Sequence, residues 1–186
     1  MVVLYIVIGV VVLLALYWIL ERNSMVGARN RVDEAWSGID VQLKRRHDLI
    51  PNLVETVKGY ASHERETFQR VTEARAEAMK AQGPAEASAA EGRLSAVLGD
   101  LRAVAENYPQ LRATENFQKL QNELTETEDE IQASRRIYNS NVQSYNTRIQ
   151  QFPGSIIANQ GGFQPKTFFE ITEPGDREVP QVSFSS

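Results

Sequence analysis

The chain has 186 residues, with 20 Lys and Arg against 24 Asp and Glu, two His and no Cys, for a formal net charge of −4. That balance argues against an electrostatic nucleic-acid binder, and the missing Cys excludes disulfides, thiolate metal sites and a cysteine nucleophile. Beyond residue 20 the composition is rich in Ala, Glu, Gln, Arg and Leu, which favours helix, and leaves enough chain for one domain with a core.

Val2 to Leu20 is apolar or interfacial throughout, with no charged side chain and no Asn, Gln, Ser or Thr. As a helix it extends roughly 28 Å, about the thickness of a bilayer's hydrocarbon core. Tyr17 and Trp18 stand where the run stops, at the level amphipathic rings prefer. A basic region ahead of the run is missing and no small-residue cleavage site follows it, so a retained single-pass anchor over 1–22 is expected rather than a cleaved signal. Arg22, Arg29, Arg31, Lys44, Arg45 and Arg46 all follow the span. By the positive-inside rule the N-terminus is expected outside a cell membrane and the folded body in the cytoplasm.

From Met25 the pattern becomes helical with a heptad-like seam: Val32, Trp36, Ile39 and Leu43 step by four, three and four. This first bundle helix is expected to end near His47, with Lys44, Arg45 and Arg46 as a solvated last turn. Asp48 and Pro51 then read as the start of a second helix, about Leu49 to Ala81; one long helix kinked at Pro51 is the alternative. Gly83-Pro84 ends it, and a third helix follows over about Ala85 to Asn107. After Pro109 the fourth and longest, about Thr114 to Phe152, carries Phe117, Leu120, Leu124, Glu128, Ile131, Arg135, Tyr138, Val142, Tyr145, Ile149 and Phe152 along one seam. Short loops between amphipathic helices predict an all-α fold: an antiparallel up-and-down four-helix bundle over 23–152 behind the transmembrane helix. The tail, 153–186, is expected as extended chain packed on the bundle, the bilayer or another subunit, through Phe163, Phe168 and Phe169; the alternative is a partly ordered tail that merely covers the bundle end.

Several blocks carry a resemblance. Arg29 to Ser37 (RNRVDEAWS), Val41 to Arg46 (VQLKRR), Asp48 to Val54 (DLIPNLV) and Tyr108 to Ala113 (YPQLRA) resemble the bacterial LemA family. So do Arg135 to Asn139, Tyr145-Asn146, Phe152-Pro153, Gly162-Phe163 and Phe168 to Glu170. The resemblance runs from anchor to tail. It implies a single-span membrane protein with a helical bundle and no established enzymatic activity. It further implies an association with HtpX-type membrane metalloproteases or envelope stress responses.

Few residues offer chemistry. His63-Glu64 lacks the second His four residues on that a zinc peptidase helix needs, since position 67 is Thr. Neither His47 nor His63 follows a Glu by three residues, as a di-iron bundle requires. No catalytic site, metal site or cofactor is therefore expected. Glu64, Arg75, Glu128 and Arg135 are charged residues at core-phase positions. Counted from the helix ends, Glu64 and Arg135 fall at similar depth, a candidate register pair across the bundle; the alternative is that the seam drifts there and the side chains reach solvent. Tyr138-Asn139 and Tyr145-Asn146 repeat seven residues apart on one stripe, read either as a contact for another helix or subunit or as core tyrosines with flanking capped or solvated amides. The expected function is a non-enzymatic, membrane-anchored scaffold or adaptor working through self-association or a membrane protein partner. A small-ligand sensor, or an unfamiliar enzyme with a site between helices, is the alternative.

Overall fold

A computed structural model describes residues 1–171, and among these every regular element is helical. The elements are α1 (Val2–Lys58), α2 (Arg65–Ala78), α3 (Gly83–Glu106), α4 (Pro109–Arg112), α5 (Glu115–Gln150) and α6 (Gly154–Gly161). The all-α fold with a long apolar N-terminal helix is as the sequence implies. The tail beyond Ile171, including Pro174, Gly175, Pro180, Val182 and Phe184, lies outside the described residues.

Two compact units share the long helices. The first comprises Met1–Val41 and Gln132–Phe168, the second Gln42–Ile131 together with residues 169–171.

In the first unit the N-terminal part of α1 is exposed on every side from Val2 to Leu20. It is long and apolar enough to cross a membrane. Burial begins at Met25 and follows helical spacing through Ala28, Val32 and Ile39. The α5 segment of this unit buries Tyr138, Val142, Tyr145 and Ile149, the last four expected seam residues before Phe152. Trp36 meets Tyr138 edge to face, with ring centroids 5.6 Å apart. Phe152 leaves the seam, because α5 stops at Gln150 and the chain turns at Pro153. The tail is helical before it is extended: α6 occupies Gly154–Gly161. Gly162 closes α6 in the left-handed conformation (φ 67°), and the Phe163 N–H donates to the Ala158 carbonyl at 3.0 Å. Only from Phe163 does extended chain begin.

In the second unit α1 continues, burying Leu43, Arg46, His47, Ile50, Leu53 and Val57. The expected break near His47 is not there. α1 passes straight through Pro51 to Lys58, and the interruption falls later, at Gly59–Glu64. A proline inside a helix removes the N–H that would bond the carbonyl four residues back, here His47. That carbonyl instead accepts from Arg75 Nε of α2 at 2.7 Å. The apolar phase also never slips across Pro51, so continuing the helix keeps one face on the core. Around that face pack Phe68 and Val71 of α2, Leu94 and Leu101 of α3, Leu111 of α4 and Phe117 of α5. Among the described residues six helices thus stand where the sequence suggested a span and four bundle helices: the second of those is split between α1 and α2, and α4 and α6 are additional short elements.

Candidate functional site

Two arrangements of polar groups are built deliberately, one in each unit. The first is a clamp on the tail. Tyr138 and Tyr145 project from the same stripe of α5, seven residues apart. The Tyr138 hydroxyl donates to the Thr167 carbonyl at 2.7 Å, and the Tyr145 hydroxyl donates to the Gln164 carbonyl at 3.0 Å. Asn146 grips one residue from both sides. Its Nδ2 donates to the Lys166 carbonyl and its Oδ1 accepts the Lys166 N–H, each at 2.8 Å. Lys166 Nζ then reaches Asp33 Oδ1 on α1 at 2.8 Å. Phe163 is buried, with the Arg29 guanidinium 5.7 Å from its ring centre.

The tyrosines of the stripe are core residues, as the second reading has it, and Asn146 is capped rather than solvated. The stripe's partner is this chain's own tail, held by main-chain groups. Of the tail aromatics, Phe163 packs in this unit, Phe168 stays exposed, and Phe169 is buried in the other unit. Asn139 is half-buried beside the stripe.

Burial pushes the Tyr138 hydroxyl up to about 12, and the nearby Asp33 carboxylate adds to the rise. Burial also raises Tyr145; Arg29 works against the rise and Asp33 with it. A phenol whose folded value exceeds its ordinary 10 stabilises the fold fully below pH 10, and that contribution is lost as pH climbs toward 12. Subtracting the 295 nm alkaline titration of Tyr138→Phe from that of the native chain is expected to leave one tyrosine titrating near 12. A difference centred near 10 would show that the hydroxyl is not held by the clamp.

The second arrangement is an ion cluster inside the second unit. Arg46 and His47, adjacent on α1, both reach Glu91 of α3, which is 1% exposed. Arg46 Nη1 lies 3.2 Å from Glu91 Oε2, and His47 Nε2 lies 2.6 Å from Glu91 Oε1. Arg46 Nη2 donates to Ser95 Oγ at 2.8 Å and stands 3.5 Å from Glu128 Oε2 of α5. The cluster closes one wall of a half-open cleft of about 610 Å³ between α3 and α5. Leu53, Leu98 and Leu124 supply its apolar lining; Asp100, Arg102, Gln121 and Asp129 supply polar rim groups.

Ser95, His47 and Glu91 are the residue types of a nucleophilic triad, but they are wired differently. The Ser95 hydroxyl takes its bond from Arg46, and His47 Nε2 is on Glu91 rather than on Ser95. Deprotonation of a serine needs the imidazole on the hydroxyl and the carboxylate behind the imidazole. The arrangement as built holds helices together. Among the described residues no group of three or more His, Asp or Glu side chains is arranged to hold a metal.

Two of the four charged seam residues now have individual explanations. Arg75 serves the carbonyl freed by Pro51, and Glu128 pairs with Arg46. Glu64 sits in the turn at the start of α2, in the second unit, while Arg135 is half-buried on the α5 segment of the first. Their equal depth was counted along a helix from Leu49 to Ala81 that the fold divides at Gly59–Glu64, so the count no longer pairs them. Arg46 was expected in a solvated helix end and is instead buried. Its signal was the continued seam: Leu43, Arg46 or His47 and Ile50 keep the same phase.

Comparison with known proteins adds relatives along most of the chain. The model of the LemA family matches residues 35–184. Magnetosome protein MamQ 2 of Paramagnetospirillum magneticum is 26% identical over 192 residues, covering 88% of this chain and 71% of its own. MamQ of Magnetospirillum gryphiswaldense is 24% identical with the same coverage. Protein LemA of Metamycoplasma hominis is 26% identical, covering 82% of this chain and 70% of its own.

Proposed function

This chain belongs to the LemA family, and from that premise we propose that it is a non-enzymatic, membrane-anchored scaffold or adaptor. It acts through self-association or through a membrane protein partner, with an HtpX-type metalloprotease, and so membrane protein quality control or envelope stress, as the first candidate. The observation that carries this reading is the course of α1. An exposed apolar stretch long enough to span a bilayer passes into the folded body within one helix, with no flexible linker between. A body joined in this way is held at a fixed height, which suits presenting a surface to a neighbour in the same membrane. The Lys and Arg residues after the span favour a cytoplasmic body with the N-terminus outside.

The engaged state of the cluster also supports a non-catalytic role, since Ser95 and Glu91 already have strong partners. One observation favours a second reading. The cleft beside Arg46 is of the size that small-ligand sites occupy, and a ligand there would make the body a sensor.

The test is the native mass and composition of the complex drawn from membranes in mild detergent. A large assembly of this chain alone, or a stoichiometric complex with a membrane protease, is the expected result. A bare monomer would overturn the scaffold reading and turn attention to the cleft.

A further inference from the structure

The end of the first unit nearest the apolar stretch carries apolar side chains that nothing in the fold requires. α5 descends beside α1, and Arg148 Nε lies 3.9 Å from Glu21 Oε1. The chain then turns through Phe152, which is 81% exposed. It enters α6 at Gly154, where an added Cβ would stand 2.8 Å from the Arg148 carbonyl and 3.1 Å from Met25 Cε. The start of α6 is thus locked beside residues 21–25 of α1. Its far end reaches the last turn of the apolar run, where Trp18 Nε1 donates to Gln160 Oε1 at 3.4 Å.

The helix itself is two-faced. Ile157 and Ala158 are buried, whereas Ile156 is 52% exposed and shares a face with Gln160, four residues on. The exposed face therefore sits level with Trp18 to Met25 of α1. If Val2 to Leu20 fill the hydrocarbon core, the next five residues rise about 7 Å, through the headgroup layer. Phe152 and Ile156 then fall at the height of that layer, and Tyr17, Ile19 and Leu20, at the end of the apolar run, are exposed as well. Arg22, stacked 5.7 Å from the Trp18 ring centre, supplies a cation at the same height.

We propose that the Phe152 turn and α6 form a second, monotopic contact with the bilayer that α1 crosses, seating Phe152 and Ile156 at the boundary between headgroups and acyl chains. The occupant of this apolar face is lipid, because the face continues the exposed surface of the span without a gap in height. Val41 shows that exposure alone does not imply lipid. It is 64% exposed and equally apolar, but stands on α1 about 30 Å beyond Leu20. With two contacts, tilting of the first unit about the span is restrained, and its α6 end stays against the membrane.

The inference rests on the membrane-anchored reading, and the experiment separates the two. The chain has no Cys, so single nitroxide labels can be placed cleanly. Full-length Leu13→Cys, Val41→Cys, Phe152→Cys and Ile156→Cys are labelled and reconstituted into vesicles of phosphatidylcholine and phosphatidylglycerol. Relaxation by oxygen and by a water-soluble nickel chelate is then measured. Labels at 152 and 156 are expected to be several-fold less accessible to nickel than the label at 41, and at least as accessible to oxygen. Nickel access at 152 and 156 equal to that at 41 overturns the proposal. So does low access to both reagents, which means that protein covers the face. A lipid-exposed label at 13 alongside either result leaves the anchor standing; a water-exposed label at 13 defeats the anchored reading itself.

Discussion

Replacing Glu91 by Ala is expected to cost about 3–5 kcal/mol of folding stability, because it strands a buried guanidinium and a buried imidazole at once. Arg46 retains Ser95 and Glu128, which places the loss toward the lower end of that range. Glu91→Gln keeps the shape and one carbonyl acceptor, so its cost is expected to be smaller, about 1–3 kcal/mol. Urea denaturation of the full chain in mild detergent, followed by far-ultraviolet circular dichroism, measures both. A third variant asks what the cluster contributes. Arg46→Met, His47→Leu and Glu91→Leu together remove every charge that would be stranded and fill the same space. That variant is expected to be markedly more stable than Glu91→Ala. Were Glu91→Ala to leave the midpoint unchanged, the cluster would be solvated and the buried geometry wrong.

Arg75→Ala is expected to cost about 1–3 kcal/mol, and the reason lies 24 residues away in Pro51. The His47 carbonyl lost its helical donor to the proline and took the Arg75 Nε–H in its place. Pro51→Ala returns an N–H to that carbonyl. In the Pro51→Ala background the cost of Arg75→Ala should therefore fall below about 1 kcal/mol, a coupling that a double-mutant cycle in the same urea assay reads directly. Strict additivity would mean that Arg75 acts through some other contact, and that continuity of α1 at Pro51 needs a different explanation.

Both predictions bear on how the body is carried. Arg46, His47 and Arg75 sit on or against the part of α1 that follows the span and the first unit. Loss of Glu91 or Arg75 should unsettle the second unit and leave the tail clamp of the first in place. The tyrosine titration can check that in the same variants.

Much of this architecture was legible in the sequence. The span announced itself because nineteen residues without a charge can be satisfied by lipid and by little else. The helical class and the α5 seam followed from spacing alone, since a period near 3.6 puts Ile131, Tyr138, Val142, Tyr145 and Ile149 on one face whatever they meet. Local rules misled where a distant side chain overrode them. Pro51 carries a local penalty, and only the fold could bring Arg75 to the carbonyl it leaves bare. The stripe of Tyr138, Tyr145 and Asn146 was visible as a stripe, but its occupant was not. Hydrogen bonds to main-chain groups leave no mark on the side chains of the segment bound. Glu91 is the clearest case: on α3 it looks like any exposed helical glutamate, and it becomes central only because Arg46 and His47 arrive from 45 and 44 residues earlier. Sequence by itself determined that the chain is helical, which face of the long helices is apolar and which stretch is long and apolar enough to cross a membrane, because those depend on neighbours along the chain. Tertiary structure decided where the helices break, which charges are buried, what the tail binds and which apolar side chains stay exposed, because those depend on neighbours in space.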